Sequence, residues 1–217
     1  MTGTGSRLDP ASTWAVIPVR GLERAKSRLA GPLDAEERLD LVSRLLGRAI
    51  EAASSSPRMA GTIVVSSDPA ALEVARAAGA VPVADEGRGL NPALELARTE
   101  ALARGAGTIV ILPADLPWLG RGTLETALRA ADEAPEGLPF VALVPDRHGS
   151  GTNVLILAPP TAIDFAFGPG SRAEHAARAS AAGAIFTELG GPLDFDLDTP
   201  DDLVLIESLA PETIDVG

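Results

Sequence analysis

GTIVVSSDPAALEVARAAGAVPVA, residues Gly61 to Ala84, reads as one complete strand–helix–strand unit. GTIVVSS is a short apolar run rich in β-branched residues, which suits a strand buried on both faces. Asp68 and Pro69 then supply an N-cap and a proline at the first helical position, where the missing N–H costs nothing, and AALEVARAAGA follows as helix. VPVA resumes the extended pattern. A helix placed between two buried strands predicts a parallel pair, because antiparallel neighbours need only a short turn.

The same alternation extends both ways. Upstream, WAVIPV (Trp14 to Val19) reads as a buried first strand, and DAEERLDLVSRLLGRAIEAA opens on a capping-box pair, Asp34 and Glu37. Its periodicity places Leu39, Val42, Leu45, Leu46, Ala49 and Ile50 on one helical face. Downstream come the helix PALELARTEALARGA with Asn91 as its expected cap, the strand TIVILPA (Thr108 to Ala114) and the helix TLETALRAADEA. FVALVP and NVLILA are separated by too few residues for a crossover helix and are expected to pair antiparallel. A helix from Ser171, a short strand near IFTEL, an aspartate-rich strand and a last helix from Pro200 complete the chain. The pattern predicts an α/β fold of three layers, a doubly wound sheet that is mixed and mostly parallel.

Composition limits what such a fold does. The chain has 217 residues, 46% of them hydrophobic, enough for one domain with a sizeable core. Thirty acidic residues against 18 Lys plus Arg give a formal charge of −12, which disfavours nucleic acid and anionic membrane surfaces as partners. There is no Cys, no apolar run of membrane-spanning length, and no apolar core in the first dozen residues of the kind a signal peptide needs, so a cytoplasmic location is expected. The oligomeric state is left open, with a homodimer as one arrangement.

Four stretches carry candidate chemistry. VRGLERAKSRLAG places Arg20, Arg24, Lys26 and Arg28 just after the first strand, where cations suit a polyphosphate or form a solvated loop. In ILPADLPWL, Asp115 follows a buried strand between Pro113 and Pro117, a position suited to a Mg²⁺ ligand or to a turn residue. In FGPGSRAEH, Gly168 and Gly170 lead into Ser171 at a helix start, where backbone N–H groups and a hydroxyl suit an anion. Ser171 and Glu174 also match a capping box that would satisfy those donors without a ligand. His148 and His175 read as surface or supporting groups.

The fourth stretch is LDFDLDTPDDL, Leu193 to Leu203. In a strand, Asp194, Asp196 and Asp198 share a face and repel one another unless water or a cation intervenes. An EF-hand is excluded, because Thr199 stands where that loop needs Gly and Leu205 where it needs Glu. Thr199 and Pro200 instead read as cap and first position of the last helix, with Asp201 and Asp202 complementing its positive end. Asp196 and Asp198 remain, spaced to face Asp115 if the two strand ends meet.

With these residues laid out, the chain resembles the 2-phospho-L-lactate guanylyltransferase family of deazaflavin coenzyme biosynthesis, whose substrates also include phosphoenolpyruvate and 3-phosphoglycerate. The resemblance runs from WAVIPVRGLERAKSRL through GLNPAL, ILPADLPWL, HGSGTN and FGPGS to FDLDTPDDL. It implies a nucleotidyltransferase with a Rossmann-like, glycosyltransferase-A-type sheet over residues 13–210, flanked by tails at 1–12 and 211–217. It further implies that Asp115, Asp196 and Asp198 hold Mg²⁺, as two ions, and that Thr152, Gly168 and Ser171 receive a phosphorylated carboxylic acid. Lys26 would meet the triphosphate of GTP, with Lys26 and Asp115 in catalytic roles and Arg20 and Asn91 on the nucleotide side. Phosphoenolpyruvate is the favoured acceptor. The first loop lacks the Gly-Thr-Arg form of many sugar nucleotidyltransferases, so that wider comparison places no residue. A sugar-1-phosphate nucleotidyltransferase or a glycosyltransferase of the same fold, and a nucleotide- or metal-sensing module on the same scaffold, are the competing readings.

Overall fold

Residues 8–21, 27–132 and 137–209 are described by the computed structural model. Residues 1–7 of the expected N-terminal tail and the whole expected C-terminal tail, 211–217, together with Arg24 and Lys26, lie outside these residues. The strands are β1 (Thr13–Val19), β2 (Gly61–Ser66), β3 (Val81–Ala84), β4 (Thr108–Ile111), β5 (Phe140–Pro145), β6 (Thr152–Ala158) and β7 (Ile185–Glu188). The helices are α1 (Ala35–Ser54), α2 (Pro69–Ala77), α3 (Leu90–Ala103), α4 (Arg121–Asp132), α5 (Ser171–Ala181) and α6 (Pro200–Leu209).

The seven strands form one sheet in the order β3-β2-β1-β4-β6-β5-β7. β1 pairs in parallel with β2 and β4, β2 with β3, and β5 with β7, whereas β6 runs antiparallel to both β4 and β5. Every strand but β6 therefore directs its carboxyl end to one edge, and β6 presents its first residue, Thr152, at that edge. The chain steps outward from β1 to β3 and then returns through α3 to β4 on the far side of β1. The resulting crevice beyond β1 and β4 is the place where doubly wound sheets bind ligands.

Helices cover both faces, which explains why β4 and all but the last residue of β6 are buried throughout. One core cluster joins α1, α2 and α4 to the sheet, and a second joins α3 and α5 to the opposite face. The capping box of α1 is present: the Asp34 carboxylate accepts from the N–H groups of Glu36 and Glu37, and Glu37 accepts from Asp34 N–H at 2.7 Å. Its buried face runs through Leu41 instead of Leu39, which is exposed. The reason is a third cluster, in which Leu41 and Leu45 pack against Phe195, Leu197, Leu203 and Ile206 of the carboxyl-terminal region.

Two other sequence expectations are corrected. Of the expected N-terminal tail, Leu8 is buried in the core and its N–H donates to Asp132 at 3.3 Å, so the folded body begins before Thr13. The aspartate segment is not a strand of the sheet. It starts with a 3₁₀ turn at Pro192–Asp194 and continues as an irregular stretch of alternating buried and half-buried residues. No helix among the described residues is long and apolar enough to cross a membrane.

Candidate active site

Thr152, Ser171 and His175 meet inside the protein at the ligand edge of the sheet. The glycines of FGPGS shape the approach: Gly168 has φ +137° and Gly170 has φ +75°, both in the region that L side chains rarely adopt. Gly170 serves as the N-cap of α5, so Ser171 is the first helical residue and not the cap. Of the two readings of Ser171, the capping box with Glu174 is consequently excluded. Ser171 turns its hydroxyl inward to Thr152 Oγ1, 3.2 Å away, while Glu174 pairs with Arg178 at 2.9 Å. A buried acceptor thus wins over a local backbone cap.

His175 stands one helical turn beyond Ser171 and on the same face. It is fully buried, with Nδ1 3.0 Å from Thr152 Oγ1, and its Nε2 accepts the backbone N–H of Ala166 at 3.1 Å. The ring of Phe167 meets the imidazole edge to face at 5.0 Å. Burial, reinforced by the Arg178 charge and opposed by Glu174, pushes the His175 pKa down to about 4, so the ring is neutral at ordinary pH.

The Phe165–Phe167 segment is held from the other side of the edge. Gly89, with φ +115°, is the N-cap of α3, which places Asn91 inside the first turn and corrects the expectation that it caps the helix. The Asn91 side chain spans Phe167, accepting its N–H at 2.9 Å and donating to its carbonyl at 3.0 Å. Arg20 is exposed just past β1. The β5–β6 turn is fixed by Asp146, which accepts Ser150 N–H at 2.9 Å, and is tied to α5 by Arg172, which donates to the Gly149 carbonyl at 3.0 Å.

The acidic segment reaches the same edge. Leu197 N–H donates to the Asp115 carbonyl at 3.0 Å, which brings Asp196 and Asp198 beside the end of β4. All three aspartates are half-buried. Thr199 and Asp202 cap α6 reciprocally: Asp202 accepts Thr199 N–H at 2.7 Å and returns its own N–H to Thr199 Oγ1 at 3.3 Å. Among the described residues, no three His, Cys, Asp or Glu side chains are gathered as a metal-binding set. The structure brings the backbones of the predicted ligand segments together without bringing the carboxylates into a cage. The donor chemistry still fits Mg²⁺, which prefers a few carboxylate oxygens supplemented by water and substrate phosphate.

A cleft of about 360 Å³ opens nearby between the start of α4 and the Gly190–Leu193 loop. No predicted site residue lines it, and it has no charged wall, so the polar Thr152 cluster is the better candidate for an anion.

The family of guanylyl transferases described as CofC-like matches residues 13–207. The chain belongs to this family. A phosphoenolpyruvate guanylyltransferase of Sphaerobacter thermophilus is 44% identical over 201 residues, covering 92% of this chain and 95% of the relative. The protein of the same description from Rubrobacter xylanophilus is 42% identical over 198 residues, covering 91% and 94%. Among solved structures, a Desulfovibrio desulfuricans protein assigned as a nucleotide-diphospho-sugar transferase superposes with a TM-score of 0.72 at 17% identity, covering 92% of this chain and 88% of that one. The expected nucleotidyltransferase fold is borne out, and this CofC-like chain is a nucleotidyltransferase.

Sequence reasoning passed over Arg147, whose charge is felt by the aspartate segment of this CofC-like chain. Its guanidinium pairs with the buried Asp202 carboxylate and lies 4.9 Å from the centroid of the Phe195 ring. The hydrogen bond to Asp202 raises its pKa above the ordinary range against an opposing cost of burial, and the charges of Asp202, Asp196 and Asp198 add to the effect. Asp202 is in turn opposed by burial, but the Arg147 bond and two backbone N–H donors hold its pKa below the usual carboxylate value. Arg147 therefore offsets part of the negative field of the aspartate segment. No motif announced it, because Asp202 lies 55 residues away in sequence.

Proposed function

We propose that the enzyme transfers GMP from GTP to the phosphate of phosphoenolpyruvate and releases pyrophosphate, as the activating step of deazaflavin coenzyme biosynthesis. The observation that carries this reading is the convergence, on one sheet edge, of the buried Thr152–Ser171 hydroxyl pair with the Asp115–Leu197 junction. The first suits an oxyanion acceptor and the second suits a metal–triphosphate, so two anionic substrates have adjacent places on an acidic protein. The names of the relatives support phosphoenolpyruvate as the acid.

In this reading the acceptor's phosphate binds at Thr152, Gly168 and Ser171, where the linked Thr152–Ser171 hydroxyl pair offers a proton donor to its oxygens. One of those oxygens attacks the α-phosphorus of GTP in line, forming a new O–P bond as the bond to the β-phosphate oxygen breaks and pyrophosphate leaves. Arg20 offers a cation at the end of β1 for the triphosphate, and Lys26, outside the described residues, is assigned to the same group. Asn91 serves the nucleotide side by holding Phe167 and the loop between the two substrates. Asp115, Asp196 and Asp198 would hold Mg²⁺, which when bound supplies positive charge to the phosphoryl oxygens. No protein nucleophile is needed, because orientation and electrostatics suffice for an in-line displacement. A cytoplasmic location, as expected from the sequence, is part of this reading.

The test is incubation of the protein with GTP, Mg²⁺ and, separately, phosphoenolpyruvate, 2-phospho-L-lactate, 3-phosphoglycerate or a sugar 1-phosphate, with the product identified by mass. Guanylylated phosphoenolpyruvate is expected, with release of pyrophosphate. Product with 2-phospho-L-lactate or 3-phosphoglycerate alone would reassign the acceptor, and product only with a sugar 1-phosphate would overturn the reading.

A further inference from the structure

We propose that His175 is a positioning residue that fixes the direction of the Thr152–Ser171 hydroxyl pair, so that the pair presents a proton donor to the acceptor's phosphate. The inference rests on the assignment of the acceptor site above and adds to it the group that makes the site selective for an oxyanion.

A backbone N–H can only donate, so the bond from Ala166 N–H to His175 Nε2 at 3.1 Å requires a lone pair on Nε2. The imidazole is neutral, and its proton therefore sits on Nδ1, 3.0 Å from Thr152 Oγ1. Thr152 Oγ1 accepts that proton and also accepts from Ser171 Oγ at 3.2 Å, which occupies both of its lone pairs. The Thr152 hydroxyl proton is left to donate elsewhere. Had the ring carried its proton on Nε2, Thr152 would donate to Nδ1, Ser171 would donate to Thr152, and no hydroxyl proton would remain for a ligand.

The difference matters because the phosphate oxygens of an ionised phosphoryl acid accept hydrogen bonds and cannot supply one. A hydroxyl oxygen turned toward them without its proton would repel. Access is narrow, since Thr152 is 9% exposed and Ser171 is 2% exposed. The neighbouring Gly168 leaves open space where a side chain would begin, with no described heavy atom outside Gly168 and its two chain neighbours within 4 Å of that point. Burial of the ring excludes water that would otherwise offer Nε2 or Nδ1 another partner. The Ala166 amide, held next to Phe167 and hence to Asn91, is the element that selects the tautomer.

Two amide substitutions divide the histidine into its halves. In His175→Asn the amide nitrogen takes the place of Nδ1 and keeps the donor to Thr152 while losing the acceptor for Ala166. In His175→Gln the amide oxygen takes the place of Nε2 and keeps the acceptor while losing the donor. Steady-state kinetics with GTP and phosphoenolpyruvate should show the KM for phosphoenolpyruvate raised on the order of tenfold in His175→Gln, with the KM for GTP within about twofold of wild type. His175→Asn should hold its KM for phosphoenolpyruvate within about threefold while melting at a lower temperature. Adding His175→Gln to Thr152→Val should change the KM for phosphoenolpyruvate by less than about twofold, because the hydroxyl it orients is gone.

Equal KM increases in both amide variants, following their loss of melting temperature, would overturn the proposal, as would independent multiplication of the Thr152→Val and His175→Gln effects. A measurement on the wild type keeps the question open to refutation even if the variants fold poorly. The chain has two histidines, so ¹⁵N-labelled His175 can be assigned against His148→Gln, and long-range ¹H–¹⁵N correlation should show Nδ1 protonated and Nε2 bare. The opposite tautomer overturns the inference while leaving the acceptor site standing. Absence of wild-type turnover and binding with all three phosphorylated acids would instead overturn the site assignment on which it rests.

Discussion

Leu197 and Asp115 are joined backbone to backbone, the N–H of the first donating to the carbonyl of the second at 3.0 Å. The bond forms where the Leu197 side chain is fully buried against α1 and α6, so an apolar cluster holds the acidic segment at the end of β4. Packing therefore sets the place of Asp196 and Asp198. Leu197→Ala should cost about 2–4 kcal/mol of stability and should also lower turnover at temperatures where the variant remains folded. Denaturant melts beside a turnover assay check it, and a destabilised variant with wild-type turnover would show that the position of the segment is immaterial to catalysis.

Arg147→Ala tests the ion pair behind this segment. Asp202 is only 2% exposed and would lose its charged partner, although it retains the N–H groups of Asp198 and Thr199. Those remaining donors put the expected loss near 2 kcal/mol, below the usual cost of stripping a buried charge. Asp202→Asn added to Arg147→Ala should recover part of that loss. A second substitution that only deepens the loss would show that the Asp202 charge is worth keeping without Arg147.

Much of this architecture was legible in the sequence, for local reasons. Asp34, Asp68 and Thr199 cap helices with their own side chains, and the short DRHGSG connection leaves β5 and β6 no choice but to pair antiparallel. The misreadings share one cause, a distant partner that outcompetes the local pattern. Ser171 matches a capping box yet bonds Thr152, and Asn91 sits at a helix start yet spans Phe167, 76 residues on. His175 left one usable signal, its position four residues after Ser171, and nothing in the sequence marked its partners Thr152 and Ala166. The side chains from Leu193 to Asp198 alternate between buried and half-buried, although no neighbouring strand pairs with them.

The buried imidazole gives stability a defined pH dependence. The His175 pKa is about 4 in the folded protein, below its ordinary value of 6.5, so the unfolded chain binds the proton first as pH falls. The associated stability is fully present above pH 6.5 and is lost between pH 6.5 and 4, by roughly 3 kcal/mol in all. Arg178 strengthens the depression and Glu174 weakens it, so Arg178→Gln should narrow the window. Melts at pH 7 and pH 5 are expected to differ more for the wild type than for His175→Asn, and equal differences would remove the imidazole as the cause.

Asp196→Asn tests the metal reading, with Asp194→Asn as its control. Asp194 lies in the 3₁₀ turn at Pro192–Asp194 and not on an extended face shared with Asp196, which makes it a cleaner control than the sequence suggested. If Asp115, Asp196 and Asp198 hold Mg²⁺ beside GTP, replacing Asp196 should reduce turnover by on the order of a hundredfold. It should also shrink the thermal stabilisation by the metal–nucleotide. For the wild type that stabilisation is about 2.7 kcal/mol when the ligand is present at 100 times its dissociation constant, and the variant should gain clearly less at the same concentration. In the absence of ligand the substitution should raise stability only slightly, because the Arg147 charge already offsets part of the repulsion among these carboxylates. Asp194→Asn should leave turnover and the ligand-induced shift near the wild-type values. The two variants together separate a metal site from an acidic surface, on which either substitution would change stability by no more than about 0.5 kcal/mol and neither would touch turnover. An Asp196→Asn enzyme with full activity and an undiminished shift with Mg-GTP would remove the aspartate segment from the mechanism.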